Sequence, residues 1–342
     1  MPDVTIPWSP RLQAYNPSDD DERPLRRGLA WDLLGQAGLL DAPGVRVVDP
    51  PGMDDAGLER VHAPAYIAAV KRYSAQPQMA LAFEASQWGF VAGQDTVARA
   101  GMHEAAADVC GASVEGARAV WDADAAGGGA AARAFCPAPS GLHHAFANKA
   151  SGFCIYNDCA LAVAWLLDAG ARRVAYVDLD AHHGNGVQWI FHDDPRVLTV
   201  SVHEFAYGFY PGTGDVTERG PVGTPDTTVN VPLPPFAGDA AMLAAAGAAF
   251  LRRIHPAPDP RKLRQLTEFV SELGFEVDTL ESRFELQRLL DMARGRPEEH
   301  AVHYAVLRSL TRAAYGPQED GHRSEEHTSE LQSRQYLVCR LL

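Results

Sequence analysis

The sequence predicts an α/β fold, an open parallel sheet with helices on both faces. Short Val-rich apolar runs alternate with Ala- and Leu-rich helical stretches up to about residue 250. The stretch RRVAYVDLD, ending at Asp180, is apolar without alternation, the mark of a parallel strand covered on both sides. Val197 to His203 (VLTVSVH) repeats that character after a short crossover, which completes a β-α-β unit.

In chain order, Val45 to Val48 forms an early strand. The segment ADAAGGGAAA, 123–132, is too small and glycine-rich to hold a core and is expected to be a flexible loop. No strand precedes it, so it lacks the setting of a phosphate-cradling loop. Residues 157–169, NDCALAVAWLLDA, are apolar nearly all round, as in a helix buried between layers, and Gly170 stands where a helix C-cap is needed. GNGVQWIFHDDP makes the crossover between the two strands, whose carboxyl ends are where such units place ligand sites. Beyond Phe250 the composition changes. Arg261 to Tyr315 is highly charged, with Leu280, Phe284, Leu289, Met292, Val302, Val306, Leu310 and Ala313 near helical spacing. The last twenty residues follow no period.

The net charge of −14, from 44 acidic and 30 basic residues, makes nucleic acid a poor partner and favours cationic ligands. The longest apolar run, Cys159 to Leu167, is far short of the roughly 20 residues a membrane helix needs. No basic flank and apolar stretch open the chain, so no secretory signal is read and a cytoplasmic location is expected. Cys110, Cys136, Cys154, Cys159 and Cys339 are odd in number and lack C-x-x-C spacing, which fits reduced thiols. Cys154, Cys159 and Trp165 lie in or beside the apolar helix and read as core.

Histidine and aspartate concentrate in SGLHHA, 140–145, and YVDLDAHHGNGV, 176–187. Asp178, Asp180 and His182 are spaced by two, so an extended backbone would send all three to one face at the strand's end. Asp180 and His182 suit Zn2+, which in catalytic sites takes three protein donors and keeps an open position. His143 and His144 supply a base and a second imidazole to stabilise charge or protonate a leaving amine, and Asp178 could orient one of them. Buried carboxylates and imidazoles crowded on one face each need a partner, and a metal satisfies several together.

These residues resemble the histone deacetylase superfamily, in particular its bacterial acetoin-utilisation type and related amidohydrolases. ERPLR, VHAPAYIAAV, GMHEAA, SGLHHAF, ASGFCIYND, VDLDAHHGNGVQ and VSVHEFAYGFYPGTGD match in order over roughly residues 10–248. The resemblance implies an arginase/deacetylase-like open α/β domain that hydrolyses acetyl-amides such as acetyl-lysine with one Zn2+, or Fe2+ in its place. It makes Asp180 and His182 metal ligands, His143 the general base and His144 the second, electrostatic or acid, histidine. Asp178 would stand behind His143 and Asn185 behind His144, where many members carry Asp. Gly152, Phe153 and Tyr210 resemble the walls of the acyl-lysine channel, and Asp95 the rim aspartate that holds the substrate backbone. The partner so implied is an acetylated protein, an acetyl-polyamine or another small acetyl-amine, with no membrane.

The resemblance stops near residue 249. The family's third metal ligand, an Asp, and its catalytic Tyr belong to later segments that the sequence does not continue into. Gly274-Phe275-Glu276 has the shape of the ligand segment but carries Glu, and Tyr315 follows no glycine run. Residues 250–322 resemble instead a helical fragment of the catalytic domain of ribonuclease R type exoribonucleases, without that family's magnesium-binding aspartates. RSEEHTSELQS, within 323–342, reads as translated sequencing adapter, a non-native tail. The expected organisation is therefore an incomplete deacetylase-like domain at 1–249, the fragment, and the tail. A chain so joined would be catalytically incompetent if the missing ligand and Tyr are indispensable.

Overall fold

The computed structural model describes residues 4–246, apart from 19–21, 82, 92–94, 126–131, 138, 222–226, 240 and 243–244, together with residues 340–341. The chain divides into two compact units, 1–232 with 326–342, and 233–325. The fold and site described below belong to the first.

Strand β1 (Val4–Pro7) pairs in parallel with β2 (Val45–Val48) on one side and β3 (Arg133–Ala134) on the other. The expected strand at 45–48 is present; β1 was not foreseen, because its four residues carry only two aliphatic side chains. Helices α1 (Glu22–Gln36), α2 (Asp55–Leu58), α3 (Pro64–Ala75), α4 (Phe83–Ser86) and α5 (Met102–Ala125) follow the chain around this sheet. Helix α5 runs through 123–125 into the segment expected to be a loop. Alanine, the best helix former, extends it there, and the glycines lie outside the described residues.

Helix α6 (Asp158–Asp168) takes the predicted position. Asn157 caps it, its Oδ1 accepting the Ala160 amide at 2.9 Å, and Gly170 adopts the left-handed φ of 109° that ends the helix. Its apolar circumference has a direct explanation, since it lies between two cores. Leu161 joins the cluster of Val109, Cys110 and Ile155, whereas Cys159, Ala160, Val163 and Leu166 join that of Val174, Tyr176, Val187 and Val197. The second sheet has the order β6 (Thr228–Leu233), β5 (Val197–Glu204), β4 (Val174–Asp178), β7 (Arg340–Leu341). Strands β4 and β5 are parallel, in register from Val174 opposite Val197 to Asp178 opposite Ser201, and both are largely buried, as their unbroken apolar runs require. Helix α7 (Asn185–Ile190) is the short crossover between them.

At the other edge of β4, Leu341 and Arg340 pair antiparallel with Val174 and Ala175, an element the aperiodic tail did not predict. The remainder of 323–342, and the helical character expected for 250–322, lie outside the described residues. Among the described residues Cys110, Cys154 and Cys159 are free thiols, and no helix is long and apolar enough to cross a membrane.

Candidate active site

Strand β4 delivers Asp178 to its carboxyl end, and the chain then bends through Asp180 and His182 before Asn185 opens α7. The loop 140–146 brings His143 and His144 against this turn, their ring centroids 4.0 Å apart. Each imidazole has its own acceptor. His143 donates through Nδ1 to Asp178 Oδ2 at 2.6 Å, and His144 Nδ1 meets Asn185 Oδ1 at 2.8 Å. Asn185 Oδ1 also accepts the Gly186 amide at 3.0 Å, which fixes it as acceptor, so His144 carries its proton on Nδ1 and presents an Nε2 lone pair.

Asp178 is held on both oxygens. Tyr176 donates its hydroxyl to Oδ2 at 2.6 Å, and the Asp180 amide donates to Oδ1 at 3.0 Å. Asp180 Oδ1 accepts the His182 amide at 2.8 Å, lies 3.1 Å from His182 Nδ1 and stands 4.0 Å from His143 Nε2. Asp180 and His182 thus face one another beside the two imidazoles, brought there by a bend rather than by an extended strand, since β4 ends at Asp178.

The electrostatics separate the two histidines. Burial pushes His143 down, but the charge and hydrogen bond of Asp178, with the charge of Asp180, outweigh it and raise the ring to about 9. Burial and the neighbouring charge of His143 hold His144 well below the usual imidazole range, because Asn185 offers only a neutral oxygen. Burial also pushes Asp180 upward, yet the His182 hydrogen bond and the His143 charge leave it below the ordinary carboxylate range. Titratable neighbours pushed apart in this way are the signature of an acid–base pair.

Aromatic rings close the site. Phe209 stacks on His182 at 5.0 Å with 2° between planes, and Tyr210 meets His144 edge-on at 4.9 Å while its hydroxyl pairs with Ser151 Oγ at 2.7 Å. Gly152 lies between them with φ of 55°. A Cβ there would fall 2.4 Å from His144 Cδ2 and 2.6 Å from the Tyr210 hydroxyl, so no other residue fits without displacing a ring. Phe153 takes a left-handed φ of 65°; its amide donates to Thr96 Oγ1 at 2.9 Å and its carbonyl accepts the Tyr15 hydroxyl at 2.6 Å. Asp95 joins this wall through Thr96, whose hydroxyl donates to Asp95 Oδ1 at 3.1 Å.

A profile of the histone deacetylase domain matches residues 20–259. The chain belongs to the histone deacetylase family. It is 37% identical to the acetoin utilization protein AcuC of Bacillus subtilis over 248 residues, 72% of this chain and 60% of that protein. It is 33% identical to AcuC of Staphylococcus xylosus over 219 residues, 64% of this chain and 54% of that one. The chain therefore spans less than two thirds of the length of these curated relatives. Among solved structures it resembles a histone deacetylase homologue from Aquifex aeolicus, with a TM-score of 0.64, 21% identity, and coverage of 74% of this chain and 65% of that one. It also resembles the HD domain of HDA15, with a TM-score of 0.60, 26% identity, and coverage of 73% and 68%.

Four residues of this histone deacetylase domain escaped the sequence reading. Tyr176 shares the inward face of β4 with Asp178, two positions away, and that period could have revealed it. Phe209 precedes Tyr210 in the same aromatic run. Ser151 and Thr96 left no local signal, because each meets its partner only across the fold. Among the described residues no group of three or more His, Cys, Asp or Glu side chains could hold a metal ion. In donor chemistry Asp180 and His182 fit two places of a zinc site, which takes a third protein donor.

Proposed function

We propose that this site hydrolyses an acetyl-amide, releasing acetate from acetyl-lysine in a protein or from a related acetyl-amine. The observation that carries the reading is the pair of buried imidazoles, one backed by carboxylate and one by amide, set beside Asp180 and His182. Asp180 and His182 would hold Zn2+, or Fe2+ in its place, as two of the three protein donors that such a site takes. When bound, the metal supplies Lewis acidity toward the amide carbonyl and makes water easier to deprotonate. Without the metal the charges of Asp178 and Asp180 favour the protonated ring of His143; a bound cation beside Asp180 would oppose them and lower it, and the neutral ring, held in the right tautomer by Asp178, would then take the proton from the attacking water. The proton that His143 takes from the water is the one returned to the leaving amine, while His144, neutral and with Nε2 as an acceptor, would hold the attacking water, its ring fixed by Asn185.

Gly152, Phe153 and Tyr210 line the passage for the acyl-amine chain, and Asp95 stands at its rim. The net charge of −14 favours substrates with cationic flanks. We further read the chain as an incomplete deacetylase domain at 1–249 followed by unrelated residues, and place it in the cytoplasm on its free thiols.

The test is metal content together with turnover of an acetyl-lysine peptide. Turnover should be slow for the family, since an oxyanion donor supplied by the family's Tyr is worth about 10²–10³ in rate. It should stop with a chelator. His143→Ala should abolish it and leave metal binding intact, and Asp180→Ala should lose both. Turnover indifferent to chelator and to His143→Ala would overturn the reading.

A further inference from the structure

Two adjacent side chains at the start of α6 grip the loop that carries both histidines. Asp158 is fully buried, and its carboxylate accepts the Leu142 amide at 2.6 Å and the Gly141 amide at 3.0 Å, just ahead of His143. Asn157 donates through Nδ2 to the His143 carbonyl at 3.3 Å and the Ala145 carbonyl at 2.8 Å, on the other side of the same dipeptide. Ser113, on α5, donates its hydroxyl to Asp158 Oδ2 and ties the carboxylate to a second helix. From the opposite side Gly186 brings α7 so close that a Cβ would lie 2.5 Å from the His143 carbonyl oxygen.

We propose that Asp158 is a positioning residue: it fixes the backbone ahead of His143 and so sets where the two imidazoles stand relative to Asp178 and Asn185. The inference rests on the deacetylase reading above. Packing alone does not explain the residue. Its hydrogen-bond partners are Ser113, Gly141, Leu142 and the Cys159 thiol, all uncharged, and its charge reaches His143 only as the smallest of that ring's influences; a carboxylate buried without a contacting cation is costly unless its hydrogen bonds are needed. A carboxylate also offers acceptors only, on both oxygens, whereas an amide of the same shape would turn an NH2 against one of the two loop amides.

The test compares Asp158→Asn with Ser113→Ala in the full chain, each checked by circular dichroism and melting. The informative signal is the downfield imidazole proton that His143 shares with Asp178, read by NMR with exchange of the Gly141 and Leu142 amides. Asp158→Asn should shift or broaden that proton, expose one loop amide to faster exchange, and lower kcat about 10²-fold with KM and metal content unchanged. Ser113→Ala keeps the grip on both amides and should change kcat by no more than a few fold. If Asp158→Asn folds and leaves the His143 proton and kcat as they were, or if the two variants lose melting temperature alone and to the same degree, the proposal is wrong. Should the parent chain turn over no acetyl-lysine peptide, the deacetylase reading fails, and the imidazole proton and amide exchange still decide the positioning.

Discussion

His144 faces Asn185 across 2.8 Å, a neutral acceptor behind an imidazole whose neighbour His143 is backed by a carboxylate. Replacing Asn185 by Asp would give both rings anionic partners. The added charge should raise His144, since an opposite charge at contact distance favours the cationic ring. The imidazole titration of His144 followed by NMR measures it. An unchanged titration would show that burial, not the missing charge, governs this ring.

Asp178→Asn makes the complementary change. Without the carboxylate charge, burial should dominate and bring His143 down from about 9, and the ring loses the partner that selects its tautomer. Turnover should fall by about 10²–10⁴, the usual worth of a placed general base. The Asn carbonyl can serve Tyr176 only by turning its NH2 against the Asp180 amide, so the melting temperature should fall as well. A variant with parental kcat would remove Asp178 from the mechanism.

His62 gives a stability prediction remote from the reaction. It is buried, and its Nε2 accepts the Asn157 amide at 3.0 Å, so protonation there would replace an acceptor with a donor facing a donor. Burial lowers its pKa from 6.5 to about 4. As pH falls, the unfolded chain therefore takes up the proton first. The stabilisation from neutral His62 is complete above 6.5, drains as pH falls from 6.5, and is lost by about pH 4. The loss is on the order of 3 kcal/mol. Urea midpoints at pH 7.5, 5.5 and 4.5 should fall in that order, and His62→Gln, which retains an acceptor, should flatten the trend. Parallel trends in parent and variant would assign the acid lability to other groups.

Gly152→Ala should damage both stability and substrate passage. The new Cβ collides with His144 and Tyr210 and the residue keeps a left-handed φ, at a combined cost of about 1–3 kcal/mol. Melting temperature and KM for an acetyl-lysine peptide read the two effects. Parental values of both would mean that the loop relaxes and the passage lies elsewhere.

Completing the donor set should restore what the described residues lack. Residues 1–248 joined to the C-terminal part of the Bacillus subtilis relative should bind zinc more tightly and turn over about 10²–10³ faster than the chain as it stands. Equal metal affinity in the two proteins would show that the third donor is already present.

Much of this was legible because the chemistry is local. Asp178, Asp180 and His182 announce themselves by alternation, and α6 by an apolar circumference that only a helix between two cores would need. The clamp of Asp158 on Gly141 and Leu142, and that of Thr96 on Phe153, join residues 17, 16 and 57 positions apart, and no pattern in a single segment encodes them. Strand β1 was hidden for another reason: a short strand buried by its neighbours needs little hydrophobicity of its own. Strand β7 pairs through backbone groups, which any sequence possesses.

Because His143 and His144 are consecutive on one loop while Asp178 and Asn185 end β4 and begin α7, a shift of the loop alters both hydrogen bonds together. The strengths of the two proton carriers are mechanically geared. A shift of that loop alone therefore does not favour one member. What sets the rings apart sits on the facing side chains at 178, 180 and 185, so the pH range over which such a site works is inherited largely through those few positions.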